Sequence, residues 1–245
     1  MTQHAPLSVR DLSAGYQRTL ALDSVSVTVS PQTIHAIVGP NGSGKSTLLK
    51  ASLGLLAGTT GSAKFFGEPL DKVRPRVAYM PQTADVDWDF PIVVNDVVLM
   101  GTYPKLGWMR RPGRKQRALA KQAMEKVGLE KLGRRHISQL SGGQKQRVFV
   151  ARLLAQEADL LLMDEPFAGI DKASEALIID VLRAEVANGK TVIIVHHDLN
   201  NLASFCTHAT LLSGGRVVES GDVKKVLAPQ ALTAAYGISS DLLGV

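Results

Sequence analysis

A short segment rich in small residues carries the clearest chemical signal in this sequence. Gly39-Pro40-Asn41-Gly42-Ser43-Gly44-Lys45-Ser46 fits the pattern G-x-x-x-x-G-K-[ST]. Small residues let backbone N–H groups approach phosphate oxygens closely, and a helix starting near Lys45 would direct its positive end at the same oxygens. Lys45 is expected to reach the β- and γ-phosphates of a nucleotide, and the Ser46 hydroxyl to bind Mg²⁺. We therefore predict a phosphate loop that extends to Thr47, against the alternative of a chance glycine-rich turn.

Two carboxylates at the end of an apolar run form a second candidate site. Asp164 and Glu165 directly follow the apolar run 160–163. The carboxyl ends of strands are where α/β sheets place their ligands. Asp164 would help to hold Mg²⁺, and Glu165 could polarise a water for in-line attack on the γ-phosphate. The alternative is a strand end with two solvated acids, which is less convincing beside a phosphate loop.

A third feature is a second helix start that could bind an anion. Ser141-Gly142-Gly143-Gln144 precedes a helix rich in Val and Leu and ends 20 residues before Asp164. Serine and glycine at a helix N-terminus favour anion binding, although a simple helix cap is the alternative. Together with the phosphate loop, this segment resembles the signature of ABC-type ATPases. The resemblance covers essentially the whole chain, which has no Asn-Lys-x-Asp guanine-reading motif.

The resemblance implies roles for further residues. Tyr16, which lies 29 residues before Lys45, is similar to the aromatic residue that stacks on adenine. Gln82 resembles the Q-loop glutamine, which reaches Mg²⁺ and the attacking water. Asp171 resembles the D-loop aspartate, although the usual Ser-Ala-Leu-Asp reads Ala-Gly-Ile-Asp in this chain, so only Asp171 is carried over. Each has a structural alternative, such as a strand-end aromatic for Tyr16 and a polar loop residue for Gln82.

Two adjacent histidines follow the third long apolar run. His197 resembles the switch histidine that contacts the γ-phosphate. A metal site made of His196 and His197 is awkward, because neighbours in an extended chain point to opposite sides. We therefore expect one of them, His197, to face the nucleotide.

The hydrophobic pattern predicts an α/β fold. Continuous apolar runs at 34–38, 159–163 and 191–195 are typical of parallel strands covered on both faces, whereas 25–29 alternates like a half-buried strand. Helical spacing is found at 46–56, 116–127, 144–155 and 173–186, and 222–236 should form one or two short helices with a proline break. The family resemblance implies a P-loop NTPase (RecA-like) core with a mainly parallel sheet, an N-terminal antiparallel β subdomain and an inserted α-helical subdomain.

The domain prediction is a single ABC ATPase domain with three parts. Residues 1–84 and 159–220 would form the nucleotide-binding core, 85–158 the helical signature subdomain, and 221–245 a C-terminal helical tail. A basic segment lies within the helical part, at Arg110, Arg111, Arg114, Lys115 and Arg117.

Composition limits the function classes. The chain has 28 Lys and Arg against 22 Asp and Glu, a net charge of +6, which favours polyanionic partners such as nucleotides, nucleic acid or an anionic membrane surface. No apolar run approaches the roughly 20 residues needed to span a bilayer, and the first ten residues lack a signal-peptide core. The single cysteine, Cys206, fits a reducing cytosolic setting and a buried position. A transport role would therefore need another chain to form the pore.

The resemblance also implies partners. ABC ATPases act as head-to-tail homodimers, in which Ser141 and Gly143 would cap the γ-phosphate bound by the opposite subunit. ATP binding and hydrolysis would then drive a separate integral membrane permease, which works with an extracytoplasmic metal-binding protein. The expected location is peripheral, on the cytoplasmic face of the bacterial inner membrane.

The expected substrate comes from a closer resemblance. Segments 86–91, 95–101, 106–112 and 165–171 resemble the ATPases of bacterial manganese, zinc and iron importers, and we rank manganese first, then zinc, then iron. Asp85, Asp87 and Asp89 are similar to a calcium loop only superficially, because Phe90 stands where that loop requires glycine. We interpret them as surface or turn carboxylates, and we expect the segment after Gln82 and the helix that follows it to dock the permease.

Three alternatives remain open at this point. One is a soluble ABC ATPase that acts on nucleic acid or the ribosome. Such proteins usually carry two cassettes or a long coiled coil, and the basic segment lacks the interleaved aromatics of a single-strand binder, so no nucleic-acid partner is predicted. The others are an ATPase of a cytosolic assembly machine and a split exporter.

Overall fold

The computed structural model describes residues 4–17, 19–82, 90–106 and 110–237. The chain divides into two compact units. The first unit comprises Met1–Val73 and Thr191–Val245, and the second comprises Arg74–Lys190. The division into core, helical subdomain and tail that we drew from the sequence stays a prediction.

The elements of regular structure follow in chain order. They are β1 (Leu7–Tyr16), β2 (Thr19–Val29), β3 (Ile34–Val38), α1 (Lys45–Ser52), β4 (Thr60–Lys64), α2 (Leu70–Val73), β5 (Val77–Met80), α3 (Val94–Met100), α4 (Arg114–Lys126), α5 (Gly142–Ala155), β6 (Leu160–Asp164), α6 (Lys172–Ala187), β7 (Thr191–Val195), α7 (Leu202–Phe205), β8 (His208–Ser213), β9 (Arg216–Asp222), α8 (Val223–Val226) and α9 (Pro229–Tyr236). Short 3₁₀ helices lie at Arg74–Arg76, Tyr103–Lys105, Glu130–Leu132 and Ile137–Gln139.

The first unit combines antiparallel and parallel strands. β1 pairs with β2 on one side and β4 on the other, both antiparallel. β3 pairs in parallel with β7 and β8, and β9 returns antiparallel along β8. Every residue of β3 and β7 is buried, as their largely apolar sequences predicted. In β2, the predicted alternation over 25–29 is confirmed, since the three valines are buried and Ser26 and Thr28 are exposed.

The second unit contains a parallel strand pair and several packed helices. β5 and β6 pair from Val77 opposite Leu160 to Met80 opposite Met163. Helix α5 contacts α3, α4 and α6, and its apolar residues are buried. A buried carboxylate also ties α4 to α6: the Glu185 Oε1 atom lies 2.5 Å from the Lys126 Nζ atom, and Glu185 also pairs with Lys190. Burial alone raises the pKa of Glu185, but hydrogen bonds from the two lysines outweigh it, so this pKa lies below its usual value.

One helix is shorter than its sequence pattern predicted. The spacing of leucines predicted a helix over 46–56, but α1 ends at Ser52. Gly54 adopts a positive φ of 69°, and the N–H of Leu55 donates to the Lys50 carbonyl, which forms a Schellman cap. The glycine therefore stops the helix even though apolar residues continue beyond it.

The other helix predictions are confirmed to within one or two residues of their ends. The predicted break within 222–236 is also confirmed, because Pro229 begins α9 after the short helix α8. Within the described ranges, no helix combines the length and apolar character needed to cross a membrane.

A buried histidine lies within the sheet of the first unit. His35 on β3 is 1% exposed, and its Nε2 atom lies 2.8 Å from the Thr210 Oγ1 atom on β8. Its ring stacks on that of His208, with centroids 6.3 Å apart. Burial, with a smaller contribution from the charge of His208, lowers the pKa of His35 from 6.5 to about 4.

The free energy of unfolding should therefore fall as the pH is lowered from 7 to 5. In this range the unfolded chain takes up a proton at residue 35, whereas the folded chain does not until about pH 4. We expect a loss of roughly 1–2 kcal/mol from this group. Urea denaturation at pH 7 and pH 5 would measure this loss. The free energy of unfolding should change less between the two pH values in His35→Gln than in the wild type. Equal pH dependence in the variant and the wild type would contradict this assignment.

Candidate functional site

The predicted phosphate loop, residues 39–47, runs from the end of β3 into the first turn of α1 in the first unit. Gly39 and Gly44 have φ angles of 146° and 99°, which side chains disfavour. A Cβ atom on Gly39 would lie 2.0 Å from the carbonyl oxygen of Leu212. One on Gly44 would lie 2.6 Å from the carbonyl oxygen of Ala21. Glycine is thus required at both positions by the backbone conformation and by neighbouring atoms.

The lysine of the loop lies against the loop's own backbone. The Lys45 ammonium is buried and donates hydrogen bonds of 2.9 Å to the carbonyl oxygens of Gly39 and Pro40. Ser46 is half-buried in the first turn of α1, and Thr47 after it is buried. The structure thus brings a cation, a hydroxyl and the start of a helix together, as the sequence motif predicted.

A histidine follows the strand next to the phosphate loop. β7 runs parallel to β3 with Val195 opposite Ile37, and the His196 N–H donates to the Ile37 carbonyl at 3.0 Å. His196 is buried, whereas His197 is exposed, in agreement with the expectation that the two point to different sides. Because parallel strands end at the same edge, His197 and Gly39 both follow strands at one edge of this sheet.

Tyr16 lies in the hairpin that joins β1 and β2. It pairs with Thr19, and its side chain is 49% exposed. The β2 segment just beyond this hairpin contacts the phosphate loop, because Ala21 approaches Gly44. An exposed aromatic ring at this place is compatible with the predicted stacking on a base.

The second unit brings together two of the predicted catalytic residues. Asp164 ends β6 and is completely buried, and Glu165 follows with a positive φ of 53°. Gln82 lies two residues beyond β5, the strand paired with β6. Its amide nitrogen donates a hydrogen bond of 2.9 Å to the Glu165 Oε2 atom. A left-handed backbone is unfavourable for glutamate, so the surrounding structure must maintain this backbone conformation.

A glutamine that was not predicted from the sequence also stabilises this segment. Gln146 in α5 is 2% exposed, and its side-chain nitrogen donates to the carbonyl oxygens of Pro166 at 2.6 Å and Glu165 at 3.4 Å. These bonds fix the backbone directly after the candidate catalytic glutamate. The signal that could have found it was a polar residue on the apolar face of a predicted helix, which implies a buried hydrogen-bond partner.

The Ser-Gly-Gly segment starts α5 with a capping box. The Ser141 Oγ atom accepts a 3.3 Å bond from the Gln144 N–H, and the Ser141 N–H donates to the Gln144 Oε1 atom at 3.1 Å. The cap that we considered as an alternative is therefore present. It does not oppose anion binding, since neither bond uses the N–H groups of Gly142 or Gly143.

Asp171 occupies the equivalent position at the start of α6. Its carboxylate accepts bonds from the backbone N–H and the hydroxyl of Ser174, at 2.8 and 3.0 Å. These two bonds hold the pKa of Asp171 below its usual value. The carboxylate is therefore ionised at neutral pH.

Two features outside these groups bear on metal and thiol chemistry. Among the described residues, no group of three or more His, Cys, Asp and Glu side chains could hold a metal ion. Asp85, Asp87 and Asp89, interpreted as surface carboxylates, lie outside the described residues.

Cys206 is buried as predicted, and burial raises the pKa of its thiol.

Comparison with known proteins identifies the family. The model of the ABC transporter family matches residues 22–168. This chain belongs to the ABC transporter family. The zinc transport system ATP-binding protein TroB of Treponema pallidum (strain Nichols) is 48% identical over 238 residues, which cover 96% of this chain and 89% of that protein. The manganese transport system ATP-binding protein MntB of Listeria innocua is 44% identical over 231 residues, covering 94% and 96%.

The solved structures confirm the fold class. A chain of an ABC transporter solved in an inward-facing conformation has a TM-score of 0.84 and 28% identity, covering 96% of this chain and 90% of that one. The predicted α/β architecture with an antiparallel β subdomain is therefore correct. The chain is an ABC ATPase, as the motifs indicated, whereas the roles of individual site residues stay predictions.

Replacing Gly44 by alanine should disrupt the phosphate loop. The new Cβ would meet the Ala21 carbonyl and the Leu22 side chain at 2.6 Å, in a backbone conformation that alanine disfavours. We expect a stability loss at least about 1 kcal/mol greater than that of Gly54→Ala, with ATP binding weakened by about tenfold or more.

Gly54→Ala is the matched control for this variant. Gly54 also has a positive φ, but a Cβ atom there would have no neighbour within 4 Å. Urea denaturation and calorimetric titration with ATP would compare the two variants. Equal effects would show that the close contacts at Gly44 are unimportant.

Proposed function

We propose that this chain is the ATP-hydrolysing subunit that energises import of a divalent transition metal through a separate membrane permease. The observation that carries the hydrolytic role is the Glu165 carboxylate, which is held by Gln82 at the end of a buried strand in an ABC-family chain. The names of the relatives, zinc and manganese transport ATP-binding proteins, support the cargo class.

The phosphate loop is proposed to bind the triphosphate of ATP. Its glycines allow backbone N–H groups to approach phosphate oxygens, and Lys45 supplies the positive charge. Two carbonyl oxygens of the loop accept hydrogen bonds from the Lys45 ammonium, and a phosphate oxygen could accept such a bond in their place. Tyr16 would stack on the adenine ring.

The proposed Mg²⁺ ligands form a suitable donor set. Ser46, Gln82 and Asp164 offer a hydroxyl, an amide carbonyl and a carboxylate, and Mg²⁺ prefers oxygen donors with one or two carboxylates and the substrate phosphates. The complete burial of Asp164 is consistent with a carboxylate that serves a cation. When bound, Mg²⁺ would neutralise charge on the phosphates.

Hydrolysis would proceed by in-line attack of water on the γ-phosphate. Glu165 would accept the proton of the attacking water, with Gln82 fixing the orientation of its carboxylate. His197 would contact the γ-phosphate. Phosphoryl transfer needs little covalent help from the protein, so positioning and electrostatic stabilisation account for the proposed catalysis.

A head-to-tail homodimer is proposed to complete the reaction. Ser141, Gly142, Gly143 and Gln144 would bind the γ-phosphate of the ATP held by the other subunit. The N-terminus of α5 provides N–H groups that the cap does not use, and a positive dipole end, for that purpose. Asp171 would lie beside the signature segment at the same subunit boundary.

Glu165→Gln should retain ATP binding and accumulate as an ATP-bound dimer. The amide keeps the size of the side chain but cannot accept the water proton, so we expect hydrolysis to fall at least about 100-fold. ATP turnover and size-exclusion chromatography with ATP would measure the two effects.

Glu157→Gln is the control for that variant. Glu157 is also a glutamate with a left-handed backbone in the second unit, with a φ of 51°, but it is exposed and belongs to none of the predicted motifs. The Glu157→Gln variant should hydrolyse ATP at the wild-type rate. Near wild-type turnover by Glu165→Gln would refute the role of Glu165 as the base.

A cleft in the second unit is the proposed docking site for the permease. It is lined by the end of β5, by the residue after it and by parts of α3 and α5, including Pro81, Met100, Phe149 and Arg152. Partial burial lowers the pKa of the Arg152 guanidinium, which nevertheless stays charged at neutral pH. Apolar walls with one cation suit an amphipathic segment carrying a carboxylate. The chain would thus be peripheral, at the cytoplasmic face of the inner membrane.

Reconstitution with the cognate permease and metal-binding protein would test the cargo. We expect ATP hydrolysis to be stimulated several-fold by the metal-binding protein loaded with Mn²⁺, with Zn²⁺ next and Fe²⁺ after it. Arg152→Glu should reduce this stimulation and the co-purification of the permease, while calorimetry monitors ATP binding. Lack of stimulation by any of the three metals would reject the import proposal.

A further inference from the structure

In the second unit, the N-terminal ends of α5 and α6 contact each other through small residues. Asp171 caps α6, and both of its carboxylate oxygens accept hydrogen bonds from Ser174. Ser174 is 7% exposed, so its hydroxyl is oriented inside the protein. On its other side, Ser174 faces Gly143 at the start of α5.

The contact leaves no room for a side chain at residue 143. A Cβ atom there would lie 2.6 Å from the Ser174 Oγ atom and 3.0 Å from the Asp171 Oδ2 atom. Gly143 has no positive φ, so its helical backbone would suit any residue. Glycine is therefore needed for close packing. The adjacent Gly142 is also restricted, because its Cβ would lie 3.2 Å from the Gly169 carbonyl oxygen.

We propose that Ser174 is a positioning residue that joins the signature segment, residues 141–144, and Asp171 into one rigid unit. Glycine at residue 143 is then required for packing within its own subunit, independently of nucleotide binding. The consequence for hydrolysis rests on the proposed function, in which both segments act at the boundary between subunits. Loss of the Ser174 hydroxyl would release the Asp171 Oδ2 atom and loosen the packing against α5.

A double-mutant cycle without nucleotide tests the contact itself. Gly143→Ala should lower the thermal unfolding midpoint by about 2–4 °C or more, because the new methyl group overlaps Ser174. Ser174→Gly removes the Oγ and Cβ atoms, which are the two Ser174 atoms that would lie close to the new methyl group. The unfolding midpoint of the double variant should therefore fall by less than the sum of the decreases in the two single variants. Additive losses, or no loss in Gly143→Ala, would overturn the proposal.

Ser174→Ala tests the positioning role. This variant keeps the backbone N–H bond to the Asp171 Oδ1 atom, and thus the helix cap, but removes the hydroxyl bond to Oδ2. We expect kcat for ATP hydrolysis to fall about tenfold, with the ATP dissociation constant of the isolated subunit unchanged. In the Glu165→Gln background, the ATP concentration that half-saturates dimer formation should rise.

Asp222→Ala supplies the matched control. Asp222 caps α8 through a 2.9 Å bond from the Lys224 N–H, but it lies in the other unit and in no proposed site. Its loss should lower the unfolding midpoint without changing kcat. Equal kcat losses in Ser174→Ala and Asp222→Ala, or an unchanged kcat in Ser174→Ala, would overturn the positioning role. An inactive wild type would instead refute the proposed function, and the double-mutant cycle would be unaffected.

Discussion

The candidate site depends on one property of parallel strands: neighbours that run in the same direction end at the same edge. β3 and β7 deliver the phosphate loop and His197 to one edge in the first unit. β5 and β6 do the same for Gln82 and Glu165 in the second unit. Because these strands are largely buried, polar residues that could do chemistry appear where the strands stop. The chemistry is therefore confined to the loops that follow them.

This arrangement places two residues at the end of β6 in unfavourable local environments. Asp164 is buried as a carboxylate, and Glu165 has a left-handed backbone. Each condition costs of order 1 kcal/mol or more and persists only because the surrounding structure enforces it. Gln146 is part of that enforcement, since it binds the two carbonyl groups after Asp164. The apolar packing of α5, which carries Gln146, thus contributes to the backbone conformation at Glu165.

Much of the fold and of the candidate site could be predicted from the sequence, because the relevant signals are local. Continuous apolar runs identify β3, β6 and β7, and the phosphate loop is a contiguous motif with a fixed role for each residue type. The end of α1 was mispredicted because the leucine spacing continues past Gly54, whose backbone conformation depends on the cap that forms around it. Gln146 and Ser174 were missed for a different reason. Gln146 binds carbonyl groups 19 and 20 residues away, and Ser174 packs against the start of another helix. A polar residue on an apolar helix face can indicate a buried partner, but a local pattern does not identify which distant residue that partner is.

The helix caps illustrate how the same local chemistry acquires different importance from its surroundings. Ser141, Asp171 and Asp222 each accept a backbone N–H at the start of a helix, and the capping preference of each residue type gives no reason to rank them. Asp222 caps a helix of four residues, so its effect is limited to local stability. Ser141 and Asp171 cap helices whose first turns touch each other through Gly143 and Ser174. The proposed positioning role of Ser174 follows from this contact, because a change in one cap would alter the packing of the other. In an enzyme whose proposed catalysis consists mainly of positioning, that mechanical connection links helix capping to the rate of the reaction.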